Sequence, residues 1–546
     1  MRAALKDPEI IYRRRWLTLL VLCISLIVIT LDNTILNVAL PTLAKPTAQG
    51  GLAASSSQLQ WIVDAYTIVF ASLLLSAGSL GDRFGRYKGL ALGLTIFGAG
   101  SLLSATATSA NMLIGTRALM GIGGAFIMPS TLSILTNVFT DPAERGKAIG
   151  IWAGVSALGI GLGPISGGAL LAHFWWGSVF LVNIPIVIAG LVLGFLLVPE
   201  SQDPSKPRLD PLGALLSIVG LTVVLWSVIE APSHGWGSGL IIGGFVLGVA
   251  VLGAFFVWER HTAHPMLDMT FFENPRFTAA SGAITLTFFA LFGTLFLLTQ
   301  FLQSVLGYST VEAGAVLLPQ AAVMMVMAPL SSVWVRKFGN KWVVTTGLLV
   351  VSSSLFMFLL FDASSSVGAV IVISMIMGLG MANIMAPATD SIMGSLPRAK
   401  AGVGSAVNDT TRQVGGAVGV AVLGSVLSSH YTSAVTDKIG ASVDPRLLEG
   451  ITGGVGQAVG IGKAIPGGDA IIVAAREAFV GGMHLAAVVG GVVTLIAALG
   501  VARWLPARAR AEDDLAPGDV VDHHVDHQAD PDVDPTVDSA EALTTG

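Results

Sequence analysis

The sequence predicts an all-α polytopic membrane protein with fourteen spans, and three observations carry that prediction. Of the 546 residues, 53% are hydrophobic and only 12% are charged, against about 25% charged in a soluble domain. The apolar residues fall in long blocks of about 20, the length that crosses a bilayer as a helix. Lys and Arg recur in alternate connecting segments, as expected of a chain whose basic loops stay on the cytoplasmic side.

The first block runs over 16–41, behind the basic triplet Arg13, Arg14 and Arg15. It is too long for a signal peptide and contains no A-x-A cleavage site, so it reads as a retained helix. Spans 2 (58–80) and 3 (88–107) flank Arg83, Arg86 and Lys88. Spans 4 (111–136) and 5 (146–171) flank Arg145 and Lys147, and span 6 (177–198) precedes Lys206 and Arg208. Spans 7 (210–230) and 8 (238–258) end before Arg260 and Arg276. Spans 9 (276–304) and 10 (311–335) precede Arg336, Lys337 and Lys341. Spans 11 (341–361) and 12 (367–395) precede Arg398 and Lys400, and spans 13 (401–428) and 14 (475–503) complete the set, closing at Arg503. The alternate loops carry little: Lys45, then Lys438, Arg446, Lys463 and Arg476 in one long loop. Both termini are therefore expected in the cytoplasm.

"RFGRYK" at 83–88 follows span 2, and "KFGNK" at 337–341 follows span 10. Two six-helix halves with two helices inserted between them would produce this faint repeat, a pattern typical of secondary transporters. The expected organisation is a cytoplasmic N-terminus (1–15), a first half (16–198), inserted helices and linkers (199–275), and a second half (276–503). An external Gly-rich loop (430–474), with a short helix near 444–450, interrupts the second half. From Ala511 to Gly546 there are eleven acids and no Lys or Arg, so the net charge of −5 hides a mildly basic body. The tail 504–546 reads as solvated and disordered, with "DHHVDH" at 522–527 an outside chance for metal.

Several function classes are excluded. The single cysteine, Cys23, permits no disulfide and no thiolate cluster. No G-x-x-x-x-G-K-[ST] is present, so energy should come from an ion gradient. No metal site or nucleophile–base set lies inside the spans, which argues against a membrane-embedded enzyme. No cofactor and no nucleic acid are expected.

Intramembrane ionisable groups are functional candidates by default. "LDNTILNVALP" (31–41) places Asp32 in span 1, with Thr30, Asn33 and Asn37 forming a polar strip at i, i+3, i+7. Counting residues puts Asp32, Asp64 of span 2 and Arg117 of span 4 at comparable depth in the outer half. Two acids and one base leave a net −1, which one proton or one organic cation would neutralise. An acid beside an arginine stays ionised, and the same acid in apolar surroundings takes up a proton. A second set comprises Asp390 of span 12 and Asp409 and Arg412 of span 13. Asp409 and Arg412 are spaced to pair locally at i, i+3, and Asp390 is placed either to meet substrate or to snorkel to the interface. Trp61, Tyr66, Met120, Gln303, Asn37, Asn408 and Arg412 are candidate pocket residues, mixing aromatic faces, polar handles and a flexible thioether.

Two glycine patterns add mechanism. "GSLGDRFGRYK" (78–88) packs glycines, an acid and bases into a tight turn, and Asp82 is suited to accept hydrogen bonds from a helix N-terminus. In span 5, Gly159, Gly163 and Gly167 recur at i, i+4, i+8, a smooth stripe for helix packing, and Pro164 permits a kink.

The loop fits G-x-L-x-D-R-x-G-R at Gly78, Leu80, Asp82, Arg83, Gly85 and Arg86, and here the chain resembles the major facilitator superfamily. Four further stretches resemble its fourteen-span drug:proton antiporter family. These are "LDNTILNVALP", "LIGTRALMGIGGA" (113–125, with Met120 where Gln is frequent), "GIGLGPISGG" (159–168) and "GSAVNDTTRQVGGAVG" (404–419). The resemblance covers roughly 15–505. It implies the major facilitator fold and proton coupling through Asp32 and Arg117, to which the depth count adds Asp64. It also implies a gating loop at Gly78, Asp82, Arg83, Gly85 and Arg86, and an exporter motif at Gly159, Gly163, Pro164, Gly167 and Gly168. An acid near Asp390 recognises bulkier or divalent cations in related exporters. The expected function is proton-coupled antiport, by a monomer, of hydrophobic cationic drugs or toxic compounds. The alternative is export of one native metabolite, antibiotic or lipid.

Overall fold

A computed structural model describes residues 7–205, 208–440 and 443–506. Fourteen helices in it are long and apolar enough to cross a membrane. They are α1 (Pro8–Leu43), α2 (Ser56–Phe84), α3 (Arg86–Ala105), α4 (Ala110–Val138), α5 (Pro142–His173), α6 (Asn183–Leu197, behind a short turn Ser178–Leu181), and α7 (Pro211–His234). The remainder are α8 (Gly239–His261), α9 (Pro275–Gln300), α10 (Thr310–Phe338), α11 (Asn340–Met357), α12 (Val367–Gly394), α13 (Ala401–Ile439) and α14 (Asp469–Trp504).

Helix ends are set by caps and not by the edges of the apolar blocks. Asp7, Asp141, Asp210 and Asn274 cap α1, α5, α7 and α9, and each is followed by a proline at the first helical position. Ser55 with Gln58 and Ser309 with Glu312 form full capping boxes on α2 and α10. This is why α1 starts eight residues ahead of the predicted span: Pro8 follows the Asp7 cap, and Arg13 pairs with Glu9 at 2.6 Å. The segment expected as an external loop at 430–474 is largely helical. α13 runs on to Ile439, two short helices follow (Pro445–Thr452 and Val455–Ala464), and α14 begins at Asp469. Apolar windows measure hydrocarbon thickness, and a helix can continue past it on polar residues.

One hydrophobic core is drawn mainly from α1–α6 and another mainly from α9–α14. α7 packs on α8 and against α2 and α13, where Ser72 and Thr222 hydroxyls meet at 2.9 Å. α5 lies along α10 from Gly146 beside Ser332 to Gly168 beside Val311. On its other side, a Cβ on Gly159 or Gly163 would run into the hydroxyl of Thr30 or Thr34 of α1, and one on Gly167 would meet Ile35. The glycine stripe therefore seats α1. Pro164 and Gly168 instead face α10, at Gly314 and Val311.

Candidate functional site

Asp32 sits fully buried on α1. Its Oδ2 accepts from Arg117 Nη1 at 2.5 Å and its Oδ1 from Asn183 Nδ2 at 3.0 Å. The Asn183 amide also donates to Ser101 Oγ (3.1 Å), which donates to the Phe180 carbonyl (2.8 Å). Arg117 Nε donates to the Ile62 carbonyl at 3.1 Å, and its guanidinium lies 4.4 Å from the centre of the Tyr66 ring. Tyr66 stacks on Phe70 at 5.7 Å. The result is a neutral ion pair sealed among α1, α2, α4 and α6. Losing either partner would strand a buried charge.

Several expected neighbours are placed differently. Asp64 reaches the predicted depth but faces away. Ile62 and Tyr66 occupy the Arg117 side of α2, and Asp64, two residues from each, falls about 200° round the helix. There its side chain meets Gln60 and the charge of Glu230 on α7. Trp61 packs with Ile68, Leu225 and Trp226 on that same seam. Met120 is fully buried, wedged against Gly100 and Ser104 of α3, and Tyr66 is buried beneath Arg117. Neither lines an open pocket here, because both fill the packing behind the ion pair. Thr30 leaves the predicted polar strip to pack on Gly159, while Asn33 and Asn37 stay exposed on α1. Gln303 is exposed in the π-turn Phe301–Val305.

The second charge set does not form the expected Asp409–Arg412 bridge. Asp409 Oδ1 accepts from Asn408 Nδ2 (3.1 Å), and Asn408 Oδ1 accepts from Thr389 Oγ1 (3.1 Å). Arg412 Nη2 donates to Thr389 Oγ1 (3.2 Å), and its guanidinium lies near both the Trp152 ring (4.9 Å) and the Phe288 ring (5.2 Å). Aromatic faces and a hydroxyl hold the cation in place of the acid. Asn408 and Arg412 are thus buried where α13 meets α12 and α5.

Polar links between the halves gather at the basic end. Asp82 Oδ1 and Oδ2 accept the Gly402 and Val403 amides at 2.8 and 3.0 Å, an anion on the N-terminus of α13. Arg86 Nε donates to Asp82 Oδ1 (2.8 Å), and its Nη2 to the Arg398 and Ala399 carbonyls (2.7 and 2.9 Å). Gly78 must be glycine because a Cβ would meet the Gly402 carbonyl and Ala406. Gly85 turns the chain at φ +118°, and a Cβ there would press on the Glu200 carboxylate. Arg83 is half-buried, with its guanidinium over the Phe84 ring. Asp203 adds a 3.3 Å bridge to Lys400. Burial works against ionisation of that carboxyl, but Ser205 and Lys400 outweigh it and hold it below the ordinary 3.8. Asp390, expected near substrate, accepts from Arg145 Nε of α5 at 2.9 Å, where the last turns of α12 meet the start of α5.

Asn183 was missing from the expected site. Its signal was a lone amide in the apolar run "FLVNIPIV" (180–187). The tail 507–546 and its histidines lie outside the described residues.

A family model described as "Major Facilitator Superfamily" matches residues 22–420. The "Multidrug efflux pump LfrA" of Mycolicibacterium smegmatis is 39% identical over 488 residues, 89% of this chain and 95% of that protein. The "Tetracenomycin C resistance and export protein" of Streptomyces glaucescens is 32% identical, covering 92% and 94%. The "Multidrug resistance protein Stp" of Mycobacterium tuberculosis is 33% identical, covering 90% and 93%. Among solved structures, the human organic anion transporter MFSD10 aligns with TM-score 0.58 at 14% identity, over 89% of this chain and 99% of that one. A bacterial homologue of the lysosomal transporter Spinster, inward-facing and unoccupied, aligns at 0.55 and 19% identity, covering 91% and 99%. These two show a shared fold.

Proposed function

The chain belongs to the Major Facilitator Superfamily, and on that premise we propose that it is a proton-coupled antiporter exporting hydrophobic, cationic drugs or toxic compounds by alternating access. The observation that carries the coupling is the sealed Asp32–Arg117 pair. A proton reaching Asp32 removes the negative charge and strands the Arg117 cation among Tyr66, Ile62 and Met120. That arrangement is costly unless α1 and α4 move apart, so protonation is tied to a change of shape. Asn183 holds Asp32 toward Arg117, and Asp64 acts as a separate acid on the α7 side. Asn37 and Gln303, exposed on opposite halves, line the substrate path. Asp390, Asn408 and Arg412 act nearer the inter-half seam.

The basic end is cytoplasmic, and the links of Asp82 and Arg86 to α13 keep it shut while substrate leaves on the other side. The halves 16–198 and 276–503 rock about the contact of α5 with α10, with α7 and α8 riding on the α2–α13 seam. Each proton entering down a potential supplies roughly 2.3 kcal/mol per 100 mV. The working unit is a monomer in the bacterial cytoplasmic membrane, with no cofactor. Some relatives are named for a single antibiotic, which supports export of one native compound as the second reading. Expression in an efflux-deficient bacterium tests both. Ethidium export that stops when the proton gradient collapses supports the first reading. Resistance to one compound alone in a drug panel supports the second, and export indifferent to the gradient refutes proton coupling.

A further inference from the structure

The inserted helices α7 and α8 join the two halves at the basic end, and their roots meet at a pair of carboxyls. α7 starts from Asp210, whose Oδ1 accepts the Gly213 amide at 2.8 Å as an N-cap. α8 closes two residues past Glu259, which is only 2% exposed. Glu259 Oε2 accepts the Leu267 amide at 3.0 Å. Its Oε1 is buried and has no hydrogen-bond partner among the described residues. What Oε1 faces is another acceptor: a Cβ on Gly213 would run into both Glu259 Oε1 and Asp210 Oδ2.

Two ionised carboxylates so placed repel, and burial of one adds to the cost. The charge of Asp210 acts on Glu259, and the cations nearby are directed elsewhere. Arg260 of α8 reaches Glu273 at 3.4 Å, and His261 Nδ1 lies 2.8 Å from the Val257 carbonyl. Arg208 and His264, in the flanking linkers, are exposed. Arg276 of α9 lies at Gly394 of α12. Asp268 caps the next turn at the Thr270 amide (3.0 Å). Asp210 Oδ2 takes the Trp258 indole N–H at 2.8 Å, which leaves Glu259 Oε1 as the oxygen lacking a donor. One proton shared by the two carboxyls supplies that donor and removes the repulsion.

The pair holds a linker in place. Residues 262–274 return the chain from α8 to α9. Met266, Leu267 and Met269 are buried in the second-half core with Leu221 of α7, Phe255 of α8 and Phe277 of α9. Leu267, whose amide is tied to Glu259, also walls a cavity of about 190 Å³ together with Leu75 of α2, Thr285 of α9, and Val407 and Thr410 of α13. The linker is therefore seated where α2 of one half meets α13 of the other, the two helices that Asp82 latches.

We propose that Asp210 and Glu259 form a second proton-binding site: with one proton shared between them the 262–274 linker is seated on the α2–α13 seam, and loss of that proton parts the root of α7 from the end of α8 and unseats it. With the basic end cytoplasmic, as proposed above, the site reports the pH of the cell interior. It is separate from Asp32 and does not require antiport. The seated form binds one proton more than the unseated form, so rising pH favours unseating, by up to about ten-fold per pH unit once the proton is leaving.

Infrared difference spectra of the purified full-length protein, titrated between about pH 5 and pH 9, test the site without reference to transport. The native protein should show a protonated-carboxyl band that bleaches as pH rises. The band should be missing from Glu259→Gln and from Asp210→Asn, because in each an amide N–H takes the place of the shared proton. Hydrogen exchange of the 262–274 peptide, taken as the ratio of native to Glu259→Gln rates so that intrinsic pH effects cancel, supplies the second reading. The ratio should be flat at low pH and climb toward ten-fold per unit once the band bleaches. A native protein with no titrating band overturns the proposal without any variant having to fold. So does a band that survives both substitutions, which would belong to Asp32 or Asp64, and so does an exchange ratio indifferent to pH. Bleaching by Mg2+ at constant pH would make the pair a divalent-cation site and overturn the proton reading. Export indifferent to the proton gradient, with band and exchange response intact, would count against antiport and leave this site standing.

Discussion

Replacing Asp82 by asparagine should shift the protein toward states open at the basic end, by an amount the geometry sets. Arg86 belongs to the same half as Asp82, so their 2.8 Å contact persists whether the halves meet or part and cancels from the comparison. What the closed state alone contains is the pair of amide bonds from Gly402 and Val403 to the carboxylate. Each charge-assisted bond of this kind is worth roughly 1.5–3 kcal/mol. Asparagine keeps one carbonyl acceptor at ordinary strength, about 1 kcal/mol, and turns an N–H toward the other amide. The net loss is about 2–5 kcal/mol, a roughly 30- to 5,000-fold change in the open-to-closed ratio. Cys23 is buried, so spin labels at Lys88→Cys and Lys337→Cys report on the two halves with little background. Their distance distribution should gain a longer component in Asp82→Asn. An unchanged distribution would refute the claim that this carboxylate latches α13.

Arg117→Ala should destabilise the fold by about 3–5 kcal/mol, because Asp32 is left buried without its cation, and a thermal melt in detergent reads this. Arg117→Lys should rescue little, since an ammonium cannot serve both Asp32 and the Ile62 carbonyl in planar geometry. Gly163→Leu should abolish transport or folding by pushing α1 off α5 at Thr34. By contrast, Gly253→Leu, on open space at α8, should leave both unchanged. Asp203 is held below the ordinary carboxylate value in the folded protein, so its contribution is complete above pH 3.8 and is lost as pH falls through the lower folded value. Acid melting curves of the native protein and Asp203→Asn should therefore differ at neutral pH and converge only below about pH 4.

How much was legible in the sequence depends on what each feature obeys. The fourteen spans follow from hydrophobic length and loop charge, both local properties, and emerge at the right count. Their ends do not, because Asp7, Asp141 and the Ser309–Glu312 box decide where a helix starts irrespective of the bilayer. Depth was legible by counting rise, which brought Asp32 level with Arg117. Azimuth was not: two residues separate Asp64 from Tyr66, and that difference sends Asp64 to α7. Asp82 announced its role through the glycines around it, since only close helices need them. Asp390 gave no local sign of its partner, because Arg145 lies 245 residues away and meets it only once the halves are assembled. Asp409 and Arg412 had the spacing of an ion pair, yet Trp152, Phe288 and Thr389 compete for the guanidinium.

The account stands most directly on the protonation of Asp32. In liposomes holding the purified protein, a substrate gradient should drive proton movement in the opposite direction, read by an internal pH dye. Asp32→Asn should abolish that proton flux while substrate-for-substrate exchange continues. Undiminished substrate-driven proton flux in Asp32→Asn would contradict the account.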